Sequence, residues 1–205
     1  MAKIVKHDER RHELLEAVWR LIERSGINSV TVRSIAVESG WSTGSLAHYF
    51  EDKEDILTSA LRLSHFEIDQ RWEEKVQGLG PAEALWAFVT DNLPLDERRR
   101  RETLLEMAYW ANAVPDKNIR VIQTEEADGL KQRLTDILST GIAKDDFRLD
   151  PAGVDQAAEK ILALVDGLSL HLVLYPERLS PDTAVDVLAD EVERVVGRRP
   201  AGNPT

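Results

Sequence analysis

Residues 40–50, GWSTGSLAHYF, place three serine and threonine hydroxyl groups, an imidazole and two glycines close together in the chain. Serine, threonine and histidine side chains grouped in this way can hydrogen-bond phosphate oxygens and the edges of bases. The sequence shows no paired serine, histidine and aspartate motif, no zinc-ligand spacing and no phosphate-binding loop. The cluster therefore predicts recognition of nucleic acid, and we expect no catalytic residue, no metal site and no cofactor.

Two short helices joined by a tight turn are expected to position this cluster. Thr31 can cap a helix through TVRSIAVES, Gly40 can end it with a positive φ, and Ser42 can cap a further helix through STGSLAHYF. Leu46 follows the small Ala36 by ten positions, which is the spacing of a helix-turn-helix. A simple corner between two helices of a bundle has the same spacing, and both interpretations stay open here.

Helical periodicity continues through almost the whole sequence. Apolar residues recur at helical spacing from Leu14 to Ile22, and later stripes are separated by glycine, proline and capping residues. No stretch alternates as a β-strand does. We predict an all-α fold of about nine helices, with a three-helix head at 1–50, a larger helical body at 51–198 and a disordered tail at 199–205.

The acidic charge of the chain belongs to the body. The net charge is −11, which taken alone argues against a nucleic-acid-binding protein. Residues 1–50 carry seven Lys or Arg against six Asp or Glu, whereas residues 51–205 carry 19 against 31. Attraction to phosphate is screened beyond about 8 Å at physiological ionic strength. The local charge of the head, rather than the net charge of the chain, therefore determines whether the head attracts nucleic acid. Lys3 and Lys6 belong either to an arm that reaches a neighbouring groove or to a disordered, solvated tail.

Composition also excludes several classes of protein. There is no cysteine, which excludes thiol catalysis, disulfide bonds and cysteine-zinc sites. The N-terminus MAKIVKHDERRHE lacks the apolar segment of a signal peptide, and no apolar run approaches the roughly 18 residues of a membrane-spanning helix. We expect a cytoplasmic protein with no membrane partner.

A longer stretch around the cluster, TVRSIAVESGWSTGSLAHYFEDKEDIL, resembles the DNA-binding signature of the TetR family of transcriptional repressors. Trp41 stands where the family usually has a small aliphatic residue, and Ala47 stands where an aromatic residue is common. The positions that match the family pattern are Thr31, Ile35, Ala36, Gly40, Ser42, Gly44, Leu46, Tyr49, Phe50, Lys53 and Leu57.

This resemblance implies a set of contacts with double-stranded DNA. Thr31 and Arg33 would touch phosphates, and Tyr49 and Lys53 would hold the DNA backbone beside the groove. Alternatively, Tyr49 packs in the core and Arg33 is exposed to solvent without contacting DNA. The residues expected to face the major groove are Ser42, Thr43, Gly44, Ser45 and His48.

The body is similar to the C-terminal domain of the BetI-like branch of this family, through LLEMAYWANAVPD and LALVDGLSLHLVLYPERLSPDTAVDVL. The resemblance implies a homodimer through the last two helices, at about 153–175 and 181–196, that reads a palindromic operator. It also implies a small-molecule effector site in the body. Alternatively, the aromatic residues of this site pack in the core, and Asp166 hydrogen-bonds the end of a neighbouring helix. The candidate effector-binding residues are Phe66, Asp69, Trp72, Trp86, Met107, Tyr109, Trp110, Asn112, Asp166 and His171.

Together these expectations describe a ligand-responsive dimeric repressor whose effector is unidentified. An effectorless or protein-regulated DNA-binding protein of the same fold is an alternative, and so is an activator. We do not expect an enzyme.

Overall fold

Nine α-helices and two single 3-10 turns form the part of the chain that the structure describes. The computed structural model describes the backbone of residues 2–197 and the side chains of residues 11–197. No strand occurs within these residues, and the predicted all-α fold of about nine helices is confirmed. The 3-10 turns are Ile27–Ser29 and Pro151–Gly153. The helices are α1 (Ala2–Ser25), α2 (Val32–Ser39), α3 (Thr43–Leu46), α4 (Lys53–Val76), α5 (Pro81–Asp91), α6 (Glu97–Ala113), α7 (Lys117–Ala143), α8 (Val154–Leu174) and α9 (Pro181–Val196).

Both ends of the chain bear on predictions from the sequence. The backbone of residues 2–10 belongs to α1, so the disordered tail considered for Lys3 and Lys6 is wrong for the backbone, while their side chains lie outside the described residues. The disordered tail predicted at 199–205 also lies outside the described residues. Within residues 2–197, no helix has the length and apolar character needed to cross a bilayer.

Most helix ends follow capping signals in the sequence. α1 ends immediately before Gly26, whose φ is 76°. At the start of α5, Glu83 Oε2 accepts a hydrogen bond from the Gly80 N–H at 2.9 Å. At the start of α6, Asp96 Oδ1 accepts one from the Arg99 N–H at 2.8 Å. These local bonds satisfy N–H groups that have no partner inside the helix, which is why single residues predict the boundaries.

The third helix is shorter than predicted. α3 spans only Thr43–Leu46, so the prediction of a helix through residues 42–50 is wrong. The His48 N–H donates to Ser45 O at 3.2 Å and the Tyr49 N–H to Leu46 O at 2.9 Å. These bonds reach back three residues rather than four, so the chain leaves α3 in a tighter turn.

The chain folds into two compact units. The first unit comprises the chain up to Asp69 together with Leu104–Thr124, and the second comprises Gln70–Thr103 with the chain from Glu125 onward. Residues of α4, α6 and α7 therefore belong to both units. The compact units do not divide near residue 50, and the functional boundary there stays a prediction.

The first unit has its own apolar core. α1 contributes Leu14, α2 Ile35 and α3 Leu46, all at most 1% exposed, and they pack in one cluster with Leu61 of α4 and residues of α6 and α7. This core buries the inner faces of the helices around the turn. Their outer faces are thereby left at the surface.

The second unit has a separate core built from α4, α5, α7, α8 and α9. Trp72 packs edge-on against Phe88, with ring centroids 5.4 Å apart. α9 turns its apolar stripe into this core. The buried residues of α9 are Ala184, Val185, Leu188, Ala189, Val192 and Val196.

A partly buried ion cluster ties α4, α5 and α6 together within the second unit. Arg71 donates to Asp91 Oδ2 at 3.1 Å and to both oxygens of Glu102 at 2.6 and 2.9 Å. Lys75 donates to Asp91 Oδ1 at 2.9 Å. Burial raises the pKa of the Asp91 carboxyl, but the hydrogen bond from Lys75 and the charge of Arg71 outweigh it and hold this pKa below its ordinary value.

Replacing Asp91 by asparagine is expected to lower the free energy of unfolding by about 3 kcal/mol at pH 7, because Arg71 and Lys75 lose a buried counter-charge. Since the folded-state pKa of Asp91 is lowered, this stabilisation is complete above the ordinary carboxyl pKa of about 3.9 and is lost as the pH falls through and below it. Urea unfolding at pH 7, repeated at descending pH, measures both effects. Glu97→Gln, which removes an exposed acid from α6, is the control. A difference between Asp91→Asn and wild type that stays constant down to acidic pH contradicts this account.

Candidate functional site

The turn between α2 and α3 brings the polar cluster to the surface. Gly40 has φ 74° and ψ 15°, a left-handed conformation that favours glycine. The N–H groups of Gly40 and Trp41 both donate to Ala36 O, the latter at 3.0 Å. Ala36 is 7% exposed, so its small side chain is buried where α2 and α3 meet. The chain therefore reverses sharply between α2 and Ser42.

Two of the predicted contact residues also serve as helix caps. Thr31 Oγ1 accepts from the Ser34 N–H at 3.0 Å, and Ser34 Oγ accepts in return from the Thr31 N–H at 2.8 Å. Ser42 Oγ accepts from the Ser45 N–H at 3.0 Å and shares a 2.8 Å hydrogen bond with Ser45 Oγ. Such caps contribute about 1 kcal/mol each. Thr31 and Ser42 stay exposed while they cap.

The other predicted contact residues differ in exposure. Arg33, Thr43, Gly44 and His48 are exposed, whereas Ser45, Tyr49 and Lys53 are half-buried. The Tyr49 ring packs edge-on against Trp41, with centroids 5.7 Å apart. Tyr49 is thus partly a packing residue and partly a surface residue. Trp41 helps to hold it, a contact that sequence reasoning did not specify.

Lys53 lies among acidic residues at the start of α4. Asp52 Oδ1 accepts from the Asp55 N–H at 2.8 Å, and Asp55 Oδ2 accepts from the Glu51 N–H at 3.0 Å. These acids and Glu54 line an open groove of about 570 Å³. The attraction of Lys53 for a phosphate is therefore opposed locally by carboxylates.

Ion pairs fasten α1 to α2. Arg24 Nη2 lies 2.8 Å from Glu38 Oε2, and Arg20 Nε lies 3.2 Å from Glu38 Oε1. The hydrogen bond from Arg24, followed by that from Arg20, holds the pKa of Glu38 below its ordinary value. Sequence reasoning missed these pairs because their partners lie 14 and 18 positions apart in the chain.

A second set of contacts fastens α1 to α4. Arg11 Nη2 donates to Ser59 Oγ at 2.8 Å, and its guanidinium carbon lies 4.8 Å from the centroid of the Phe50 ring. Trp19 Nε1 donates to Ala60 O at 3.0 Å. Arg11 and Trp19 therefore hold α1 against α4, and Arg11 also contacts Phe50 at the end of the polar cluster.

The predicted effector residues divide between the two units. Phe66 and Trp110 are 58% and 37% exposed, whereas Trp72 and Trp86 are buried. The candidates in the first unit are Phe66, Asp69, Met107, Tyr109, Trp110 and Asn112. Those in the second unit are Trp72, Trp86, Asp166 and His171.

Two candidates in the first unit have internal hydrogen-bond partners. Tyr109 is fully buried, and its hydroxyl donates to Leu57 O at 2.9 Å. Burial, with a smaller contribution from the charge of Glu106, raises the pKa of Tyr109. Asn112 Nδ2 donates to Ala108 O at 2.8 Å within α6. Tyr109 is thus a core residue of the first unit, and Asn112 bonds within its own helix.

Trp86 differs from these residues. Its side chain is 8% exposed, and among the described residues its buried Nε1 has no hydrogen-bond acceptor. An unpaired buried N–H costs about 1–3 kcal/mol, so an acceptor placed there by a bound molecule would be stabilising.

Exposed apolar and small residues accumulate on α8 and α9. On α8, Ala163, Gly167 and Leu174 are exposed at helical spacing, and on α9 Val187 is 42% exposed. Asp166 and His171 are also exposed, and the His171 ring packs edge-on against Tyr175.

Two sequence profiles of known families match most of the chain. Residues 14–60 match the family described as bacterial regulatory proteins, tetR family, and residues 81–197 match the BetI-type transcriptional repressor, C-terminal. The chain belongs to the TetR family. The helix-turn-helix interpretation is thereby confirmed, and this TetR-family protein is a DNA-binding transcriptional regulator.

Relatives of the TetR-family chain cover nine tenths of it or more. The regulator PksA of Bacillus subtilis is 31% identical over 196 residues, which cover 95% of this chain and 94% of that one. The regulator BetI 1 of Chromohalobacter salexigens is 25% identical, covering 100% and 99% of the two chains. A regulator from Saccharomonospora viridis, crystallised in complex with choline, is 28% identical with a TM-score of 0.85, covering 92% of this chain and 98% of that one.

The left-handed turn should depend on Gly40 but not on Gly44. Gly40→Ala is expected to lower the free energy of unfolding by about 1–2 kcal/mol, because an L-residue there is strained. Gly44→Ala is the matched control, since a Cβ at Gly44 meets its nearest neighbour, Ser42 Oγ, at an ordinary 3.8 Å. Urea unfolding followed by circular dichroism compares the two variants. Equal stability of both would contradict the role given to Gly40.

Proposed function

We propose that this TetR-family protein is a cytoplasmic, dimeric repressor that binds a palindromic operator and is released by a small-molecule effector, without catalysing a reaction. The observation that carries the proposal is the exposed surface beside the α2–α3 turn, with Thr43, Gly44 and His48. The small size of Thr43 and Gly44 lets α3 approach the major groove closely, and the hydroxyl of Thr43 and the imidazole of His48 can hydrogen-bond base edges.

The DNA contacts fall into two classes in this proposal. His48, the largest exposed polar side chain of the cluster, reads bases together with Thr43, Gly44 and Ser45. Basic and hydroxyl groups around the cluster bind phosphates and fix the position of the protein without reading sequence. The proposed phosphate-binding residues are Thr31, Arg33, Tyr49 and Lys53, whereas Ser42 faces the major groove with the base-reading residues.

A homodimer through α8 and α9 would present two heads to two half-sites of one operator. The exposed stripe of Ala163, Gly167 and Leu174 on α8, continued by Val187 on α9, supports this arrangement. Gly167 would let a partner helix approach closely, and pairing would remove Leu174 and Val187 from water.

Selection of binding sites from a randomised duplex pool at about 150 mM salt tests the proposal. Wild type is expected to enrich a palindrome. His48→Ala is expected to lose discrimination at one position of each half-site, worth about 1–3 kcal/mol. Lys53→Ala is expected to weaken binding to all sequences alike and to reduce the salt slope by about 1. Lys117→Ala, which removes an exposed lysine at the start of α7, is the control.

Two further variants test the dimer. Val187→Glu is expected to abolish both dimerisation and enrichment of the palindrome, whereas Val121→Glu, at a residue of matched exposure (45% against 42%), retains both. A folded wild-type protein that enriches no sequence would reject specific repression and favour the effectorless or protein-regulated alternative. The position of the recovered operator relative to a promoter separates a repressor from an activator.

For the effector, we propose a small molecule that combines a quaternary ammonium with a hydrogen-bond acceptor. The unpaired Nε1 of Trp86 supports the acceptor, and Trp72 and Phe88 are further aromatic residues of the same unit. Aromatic faces attract quaternary ammonium ions by cation–π interaction. The Saccharomonospora viridis relative, crystallised with choline, makes choline the natural first probe.

Choline is expected to release wild-type protein from the selected operator, and Trp86→Phe to need about tenfold more choline, because one hydrogen bond to the ligand is lost. Titration of a fluorescent operator complex measures the release. Trp19→Phe is a matched control for stability: both variants remove the same ring volume from a core, but Trp19→Phe also breaks the bond to Ala60 O and should destabilise the fold more than Trp86→Phe does. No release by millimolar choline would reject a choline-type effector. An unchanged response of Trp86→Phe would reject the role of Trp86.

A further inference from the structure

Three side chains that can bind metals converge where α1 meets α4. His12 and Glu16 lie four residues apart on α1, and Glu67 lies on α4. One ligand atom from each side chain lies within 4.8 Å of the other two, and His12 Nε2 lies 3.6 Å from Glu67 Oε1. Neither the proposed DNA contacts nor the proposed effector site uses these residues.

The distances suit a single ion. Ligand atoms bound at 2.0–2.1 Å around a tetrahedral ion lie about 3.3 Å apart, close to the observed separation of His12 Nε2 and Glu67 Oε1. Glu16 and Glu67 are each 31% exposed and His12 is 46% exposed, so small rotations of the side chains can complete the approach. The same exposure leaves room for water at the remaining coordination positions.

The chemistry of the three groups selects the class of ion. Two carboxylates supply two negative charges, which balance a divalent cation. An imidazole nitrogen favours first-row transition metals such as zinc or cobalt, whereas magnesium and calcium prefer oxygen ligands alone. We propose that His12, Glu16 and Glu67 bind a divalent first-row transition-metal ion, with Zn²⁺ as the expected occupant.

Nearby positive charges have partners of their own. Arg20 Nη1 lies 3.8 Å from Glu16 Oε2, but Arg20 Nε is already held by Glu38 at 3.2 Å. Arg11 donates to Ser59 Oγ and lies over the Phe50 ring. Of the two contacts of Arg20, the one with Glu16, which a bound ion would replace, is the longer.

Binding would fasten two elements that hold the DNA-reading head. α1 supports α2 through Arg20 and Arg24, and it meets α4 through Arg11 and Trp19. An ion shared by α1 and α4 adds a further link within the same compact unit. Because the ion would be open to water, it would exchange with the surroundings, so the stability of the head would depend on the concentration of free metal.

Titration of tag-free, full-length protein with Zn²⁺ in a calorimeter tests the site. Wild type is expected to bind one ion per chain with micromolar or tighter affinity. His12→Gln and Glu67→Gln are each expected to weaken binding at least about tenfold. Titration with Co²⁺ gives a second readout, since visible absorption bands should appear in wild type and be lost in His12→Gln. Zn²⁺ should also raise the melting temperature of wild type but not that of His12→Gln.

Glu13→Gln is the matched control, because it removes the same charge as Glu16→Gln from an exposed neighbouring position of α1. It should bind Zn²⁺ as wild type does, whereas Glu16→Gln should not. No binding by folded wild type, or equal binding by wild type and by His12→Gln, overturns the proposal. These readouts do not involve DNA or an effector, so their outcome is separate from that of the proposed function.

Discussion

α2 has eight residues and α3 has four, and helices this short do not persist in water by themselves. Their stability therefore comes from burying Ile35 and Leu46 against α1 and α4 in one core. The exposed Thr43, Gly44 and His48 occupy defined positions only because the opposite sides of the same elements are buried. The position of this exposed cluster depends on the packing beneath it, since a displacement of the turn would move all of its side chains together.

Long-range polar contacts fix the relative orientation of the helices that the apolar core stabilises. Burial is not directional, but the pairs of Arg20 and Arg24 with Glu38, and the bond from Trp19 Nε1 to Ala60 O, fix how α1 lies against α2 and α4. In the second unit, Arg71 plays the corresponding part for α4, α5 and α6 through Asp91 and Glu102. Each unit thus combines an apolar core with a small number of long-range polar contacts.

The sequence predicted those features that depend on neighbouring residues. The end of α2 at Gly40 and the caps at Thr31 and Ser42 were predicted because each acts within a few residues. The length of α3 was not predicted, since residues 47–49 have no strong breaker and the tighter turn is visible only in the hydrogen bonds back to Ser45 and Leu46.

For the candidate site, the sequence by itself determined the family, the helix-turn-helix and the residue types of the exposed cluster. It did so because these depend on local spacing and on the match to a known pattern. Only the tertiary structure decided that Tyr49 packs on Trp41, that Tyr109 is bound to Leu57, that Trp86 has a buried donor without an acceptor among the described residues, and that Glu67 lies beside His12. Apart from the pairing of Tyr49 with Trp41, these are contacts, or an absence of contact, between residues far apart in the chain. The order of residues does not specify which helices will pack together, and that packing decides whether a polar group finds a partner.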